Sequence, residues 1–191
     1  KMEKKLPDSA KVVVIGGGVV GCSVAYHLAK FGWKDVVLLE RDKLTSGTTW
    51  HAAGLVSQIG PSASITKIRK YTLDLYKELE KKVEHSAGLK LNGALSIAQN
   101  PGRWEELKRQ ATTAQLYDVD VKILEKDQIK KDFPIINEKD ILGGIFMPGD
   151  GQADPVGVTN LLAKAARNKG VKIFQNSPVK KILVKNGKVH G

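Results

Sequence analysis

The sequence predicts an α/β fold built on a βαβ unit. Three observations predict it. A β-branched run from Lys11 to Ile15 leads into Gly16-Gly17-Gly18-Val19-Val20-Gly21, a G-x-G-x-x-G turn. A helical stretch follows, Val19 to Phe31, with the apolar stripe Val20, Val24, Leu28 and Phe31, and Gly32 closes it. A second apolar run, Val36-Val37-Leu38-Leu39 within Asp35 to Glu40, ends on an acid. Strand, helix and strand at this spacing form a βαβ unit. The unbroken apolar runs fit a parallel sheet covered on both faces.

Each residue of the turn has a physical task. Gly16 permits the tight turn. Gly18 carries no side chain, so a pyrophosphate can approach the backbone. Gly21 lets the helix pack against the strands, and Ala25 continues that small surface. The helix N-terminus then offers N–H groups and a positive dipole end to phosphate. Glu40 stands where a carboxylate accepts hydrogen bonds from a ribose, and its charge disfavours a ribose 2′-phosphate. The turn alone does not distinguish NAD from FAD.

Further elements follow in order. Leu44 to Gly60 reads as a long loop of Thr, Ser, Gly and Ala, and such loops are usually functional. Ser64 to Glu84 is a long amphipathic helix with Ile65, Ile68, Thr72, Leu75, Leu79 and Val83 at helical spacing. A strand is expected over Leu89 to Ala98, interrupted at Gly93. A helix over Arg103 to Tyr117 aligns Trp104, Leu107, Ala111 and Ala114. Val119 to Leu124 reads as a strand, Glu125 to Asp132 as a short helix stopped by Pro134, and Ile141 to Met147 as a strand before the turn Pro148-Gly149-Asp150-Gly151. Asp154 caps a helix that has Pro155 at its first position and ends at Gly170. Val171 to Phe174 and Val179 to Lys185 are the last long strands, and Asn186-Gly187 favours a two-residue hairpin turn.

The 191 residues are 41% hydrophobic and 27% charged, an ordinary globular composition that argues against disorder. No apolar run is long enough to span a bilayer. The single cysteine, Cys22, excludes an internal disulfide framework and a cysteine-based zinc site, and a reducing compartment is the simple reading. The net charge of +11 raises the question of a nucleic-acid partner. The lysines alternate with glutamates along helices, as in Lys77-Glu78-Leu79-Glu80-Lys81-Lys82, without an arginine block or interleaved aromatics, so solvated helix faces account for them. Lys1-Met2-Glu3-Lys4-Lys5 has no signal-peptide core behind it. The start on lysine and the stop just after the hairpin turn suggest a fragment.

The loop after Glu40 is the most specific stretch. Ser46, Thr48 and Thr49 offer hydroxyl donors, and Gly47 and Gly54 permit close backbone approach. His51 lies among small residues; taken alone, a loop histidine is ordinarily a polar surface group. In context, Thr48-Thr49-Trp50-His51-Ala52-Ala53-Gly54, with the Gly16–Gly21 turn and Val36 to Arg41, resembles the N-terminal part of the dimethylglycine dehydrogenase and sarcosine dehydrogenase family. Gly93-Ala94-Leu95-Ser96-Ile97-Ala98 and Pro148-Gly149-Asp150-Gly151 with Asp154-Pro155 resemble further family stretches.

That resemblance implies a flavoenzyme of D-amino-acid-oxidase-like fold: an FAD-binding Rossmann-like, glutathione-reductase-like domain with part of an inserted antiparallel substrate domain. Residues 1–88 would be the first part of the FAD-binding domain, 89–150 a partial substrate domain, and 151–191 the FAD-binding domain continued. His51 would be joined covalently to the 8α-methyl of FAD. Val19 and Val20 would lie beside the pyrophosphate, and Glu40 and Arg41 would flank the adenosine ribose. Gly47 to Leu55, including Ala52 and Ala53, would wrap the ribitol and flavin ring. Val179 would touch adenine through its backbone, where a plain core valine is the other reading. The family reaction removes a hydride from an N-methyl carbon of a substrate such as dimethylglycine or sarcosine. The iminium formed gives formaldehyde by hydrolysis, or its carbon is captured by tetrahydrofolate in a further domain. Electrons would leave to an electron-transfer flavoprotein or oxygen, as part of choline degradation and one-carbon metabolism. The location implied is the mitochondrial matrix in a eukaryote and the cytoplasm in a bacterium.

The catalytic proton-handling residues are expected beyond Gly191. His27 reads as a packing or surface residue, and His85 and His190 as exposed. Asp150 and Asp154 are explained by turn and N-cap roles, and no metal site is expected. Two rivals stand: a non-catalytic regulatory relative, which the presence of His51 disfavours, and an NAD-dependent oxidoreductase, which a yellow colour would exclude. As a fragment, the chain is expected to leave Ile141 to Phe146 without partners and to be unstable and inactive alone.

Overall fold

The structure, a computed structural model, describes residues 5–191; the opening Lys1 to Lys4 lies outside the described residues. The chain is α/β and divides into two compact units. The first runs to Ala53 and takes in Glu78–Gly88 and Asp154–Gly191; the second comprises Gly54–Lys77 and Leu89–Ala153. Residues 54–77, expected with the dinucleotide part, therefore belong to the second unit.

The first unit is built on three parallel strands, β1 (Val12–Ile15), β2 (Val36–Leu39) and a later one at Lys172–Phe174. β2 is the middle strand, with Val14 opposite Leu38 and Leu38 opposite Ile173. Helix α1 (Val19–Lys30) makes the crossover from β1 to β2. Val36, Val37 and Leu38 of β2 are buried and Leu39 partly so, as a central parallel strand requires. β1 is not buried in this way: Val13 and Ile15 are exposed, so the covering on both faces that its apolar run predicts does not hold at the edge.

The predicted stripe of α1 is also corrected. Val20, Val24 and Phe31 are exposed, and the buried residues are Cys22, Ala25 and Tyr26. Cys22 and Ala25 are small enough to let the helix approach closely, and Tyr26 is buried one position further on. The Cys22 thiol lies 3.8 Å from the Gly17 carbonyl, and burial pushes its pKa up to about 12.

Helix α2 (Ala63–Val83) lies as predicted to within a residue at each end; its residues to Lys77 belong to the second unit and those from Glu78 to the first. Its buried side chains include Leu75, Leu79 and Val83 of the expected stripe, but Ile65 and Ile68 are exposed and Thr66 is buried instead.

The second unit holds an antiparallel sheet of β4 (Ala94–Ala98), β5 (Lys122–Glu125) and β6 (Gly143–Met147), with β6 in the middle. A short pair, β3 (Leu55–Val56) and β7 (Gly151–Gln152), lies in the same unit. The expected lack of partners at Ile141 to Phe146 is overturned. Helix α3 (Pro101–Gln115) supplies Leu107, Ala111 and Ala114 to a cluster with Ile145 and Met147. Helix α4 (Lys126–Asp132) supplies Ile129 to a second cluster with Ile141, Leu124 and the half-buried Phe146. Alternation along β6 sends neighbouring side chains to opposite faces, and each face meets one of these clusters. α3 starts two residues earlier than predicted, because the Asn100 side chain caps it by accepting from the Arg103 N–H at 2.9 Å.

Helix α5 (Pro155–Asn168) returns the chain to the first unit, packs against α1 and leads into β8 (Lys172–Phe174). The predicted cap is present: Asp154 accepts from the N–H groups of Val156 (3.1 Å) and Gly157 (2.9 Å). Asp154→Ala is expected to destabilise the protein by about 1 kcal/mol, read as a lower thermal midpoint; an unchanged midpoint would remove the cap from the helix's stability.

The predicted strand over Val179 to Lys185 shrinks to β9 (Val184–Lys185), paired with β10 (Lys188–Val189). Leu183 still exchanges backbone hydrogen bonds with His190 and Gly191, while residues 179–182 lie outside any described strand. The hairpin turn is as predicted, with Asn186 and Gly187 both at positive φ, 51° and 71°. His190 is exposed as expected, but His85 is half-buried. No described helix is long and apolar enough to cross a membrane.

Candidate functional site

The glycine turn is shaped by close contacts. A Cβ on Gly21 would stand 1.9 Å from the Gly16 carbonyl oxygen, and one on Gly18 would stand 2.9 Å from the Thr49 hydroxyl. Gly16 has a φ of +109°, which favours glycine. The N-cap residue of α1, Gly18, has no side chain to cap it, and the first turn holds no acidic residue; of its N–H groups, that of Val19 goes to the Thr49 hydroxyl. A helix N-terminus left in this state is matched to an anion, through its N–H groups and its dipole.

Glu40 is buried at the end of β2. Its Oε2 accepts from the Gly17 N–H at 2.6 Å and its Oε1 from the Asp42 N–H at 2.9 Å. A carboxylate has about four lone-pair sites, so each oxygen retains capacity for a ribose hydroxyl. The carboxylate thus has a second task, tying the glycine turn to the strand end. Arg41 beside it is exposed, 4.0 Å from Asp42.

Gly17 was absent from the expected site, yet it is the centre of this arrangement. Its N–H donates to Glu40, its carbonyl accepts from the Thr45 N–H at 3.1 Å, and a Cβ there would meet Leu44 and Glu40 below 3 Å. The signal was in the sequence: three glycines stand where the turn motif requires only the first and third. Thr45, at a φ of +73°, was likewise missed, since nothing in its residue type announces a left-handed backbone.

The loop after Glu40 is more ordered than predicted. Thr49–His51 forms a single 3-10 turn that packs on α5. The Thr49 hydroxyl accepts from the Val19 N–H at 3.1 Å, which brings the loop to the start of α1. The Trp50 and His51 rings lie 3.8 Å apart with a tilt of 34°, and both residues are exposed. Ser46, Gly47, Thr48, Ala52 and Ala53 are exposed too. The first unit therefore brings Gly16 to Gly21, Glu40 and Thr49 together on hydrogen bonds. Gly54 and Leu55 belong to the second unit, Leu55 in β3. Val179, in the first unit, is exposed and outside any strand.

In the second unit, Asp150 is buried in the turn between β6 and β7. Its Oδ1 accepts from the Gln58 backbone N–H at 3.0 Å and the Gln58 side-chain amide at 3.2 Å. Burial pushes its carboxyl above the usual carboxylate range, against those hydrogen bonds and the Arg69 guanidinium, which pull it down. Arg69 donates to the Ser57 hydroxyl at 3.0 Å and to the Ile59 carbonyl.

The donor set of the first unit fits a dinucleotide diphosphate: a helix end whose N-cap is glycine, glycines that leave no room for a Cβ, and a buried acid at the strand end. Comparison with known proteins agrees. The family model for FAD dependent oxidoreductase matches residues 11–191. Mitochondrial dimethylglycine dehydrogenase of Rattus norvegicus is 42% identical over 172 residues, covering 90% of this chain and 20% of that protein. Mitochondrial sarcosine dehydrogenase of Homo sapiens is 42% identical over 182 residues, covering 95% of this chain and 20% of that protein. The chain thus spans about a fifth of the length of these curated relatives. Among solved structures, L-proline dehydrogenase from P. horikoshii superposes with a TM-score of 0.87 at 27% identity, over 96% of this chain and 48% of that one. On the match over residues 11–191, the chain belongs to the FAD dependent oxidoreductase family.

Proposed function

We propose that this chain forms the FAD-binding start of an amine dehydrogenase or oxidase that demethylates an N-methyl amino acid of the dimethylglycine or sarcosine class. The observation that carries the reading is the open N-terminus of α1, with Glu40 tied to Gly17 on one side and the Trp50–His51 turn hydrogen-bonded through Thr49 on the other. The chain's own residues bind and orient. The first turn of α1 holds the diphosphate, Glu40 the ribose, and Gly47 to Leu55 the ribitol and ring. Arg41 and the Val179 backbone serve the adenosine end. His51, exposed and held by the 3-10 turn, presents its ring for covalent attachment to the 8α-methyl. When bound, the flavin accepts the hydride from the substrate's N-methyl carbon. Residues 1–88 and 151–191 would carry the cofactor and 89–150 part of the substrate side. An electron-transfer flavoprotein or oxygen would take the electrons, tetrahydrofolate the carbon, and a mitochondrial or bacterial cytoplasmic location would suit both.

In the intact protein, yellow colour is expected to stay with the polypeptide after acid precipitation. His51→Ala is expected to release it to the supernatant. Colour washed fully from the wild type by acid would refute covalent attachment, and a colourless protein that takes up no FAD would refute the flavin reading itself.

A further inference from the structure

The flavin reading assigns Gly54 and Leu55 to the cofactor, and the second unit shows how these two residues are held. One continuous stretch, Asp150 to Ala153, grips them. The Ala153 N–H donates to the Gly54 carbonyl at 2.8 Å. β7 pairs with β3, setting Gln152 opposite Leu55 and Gly151 opposite Val56. All of these contacts are between backbones, and the ladder is two residues long. Backbone pairing alone does not distinguish one register from the next, and a slip by one residue turns every side chain to the other face. In such a slip Leu55 would exchange places with its neighbour.

A side chain that fixes register must sit just beyond the ladder and bind one residue only. Asp150 does so. It takes both the backbone and the side-chain amide of Gln58 on a single oxygen. The Gln58 side chain lies against Gly149, where an added Cβ would stand 2.5 Å from its amide nitrogen. The turn of Gly149 and Asp150 is therefore a socket, and Gln58 is its plug. Beyond Gln58, Arg69 holds Ser57 and Ile59, and the Thr66 hydroxyl accepts from the Gly60 N–H at 3.1 Å. A turn on its own needs no buried carboxyl: the reversal is already closed by the Asp150 N–H donating to the Met147 carbonyl at 3.2 Å. The carboxyl's bonds go to a residue 92 positions away.

We propose that Asp150 is a positioning residue: by locking Gln58 into the β6–β7 turn, it fixes the register of β3 and so the presentation of Gly54 and Leu55 to the flavin. The proposal rests on the flavin reading above.

The test uses the intact apoprotein and FAD, with uptake followed by quenching of flavin fluorescence and the bound ring followed by its visible circular dichroism. Asp150→Ala and Gln58→Ala are each expected to slow uptake about tenfold, the equivalent of roughly one hydrogen bond to a buried acceptor. Both should alter the dichroism of the bound flavin. The double variant should be no worse than either single one, because both break the same contact. Asp150→Asn keeps the acceptor for Gln58; Oδ2, which it replaces, has no partner among the described residues. It should stay within about twofold of the wild type. Should Asp150→Ala fail to fold, Gln58→Ala and Asp150→Asn carry the test. Wild-type uptake and dichroism in Gln58→Ala would overturn the proposal, as would Asp150→Asn failing like Asp150→Ala, or losses that multiply in the double variant. A wild-type protein that takes up no FAD overturns the flavin reading instead, and this proposal with it.

Discussion

Gly21→Ala is expected to abolish FAD uptake. The added Cβ would stand 1.9 Å from the Gly16 carbonyl oxygen and 3.6 Å from the Val14 side chain. The first contact is with backbone, so no side chain can rotate away to relieve it. α1 must instead lift from the turn, and the turn must open. That costs roughly 3 kcal/mol, at the upper end for an overpacked contact. The same movement displaces the N–H groups of the first helical turn from the positions a diphosphate needs. Helix content by far-ultraviolet dichroism should survive, while the rate of FAD uptake falls by at least about a hundredfold. Uptake within a factor of about three of wild type would show that the diphosphate does not sit at this helix end.

Glu40→Ala ranks next. Two backbone donors, Gly17 and Asp42, lose their acceptor, and the ribose loses its own. Hydrogen bonds to a charged group contribute about 1.5–3 kcal/mol each. The rate of flavin incorporation should fall by roughly a hundredfold. Glu40→Gln retains one acceptor but turns an NH2 toward one of the two N–H donors, so a loss of about tenfold is expected. Rate is the proper measure, since a covalent link hides changes in equilibrium affinity. Equal rates in all three proteins would take Glu40 out of the site.

Much of this was legible in the residues. The turn from Gly16 to Gly21, the cap at Asp154 with Pro155 behind it, and the Asn186–Gly187 hairpin each depend on backbone chemistry that a few residue types satisfy. Such signals are local, so they survive the absence of tertiary information. What failed was non-local. The large apolar residues of α1 predicted a buried face at Val20, Val24 and Phe31, whereas the helix buries the small Cys22 and Ala25 together with Tyr26. Close packing selects for small volume, and an apolar count misses that. Residues 179–182 have β propensity but no partner strand among the described residues, and a ladder needs two sides. The Trp50–His51 stretch was recognised through family likeness, since three turn residues carry no periodicity. The link between Gln58 and Asp150 spans 92 residues and left no trace in either local pattern.

The parallel sheet of the first unit sets a timetable for the nascent chain. β2 cannot meet its second neighbour until β8 exists, and Leu39 pairs with Phe174. At the usual pace of about 5–20 residues per second, β2 leaves the ribosome roughly 7–27 s before β8. Throughout that interval Val37 and Leu38 have one strand beside them and an open edge on the other side. Residues 89–153, whose strands pair with close neighbours in sequence, complete their sheet during the same wait. Long-range parallel pairing is intrinsically slow and exposes aggregation-prone edges. The antiparallel unit is thus expected to fold first, and the nucleotide-binding half, though it is made first, to close last.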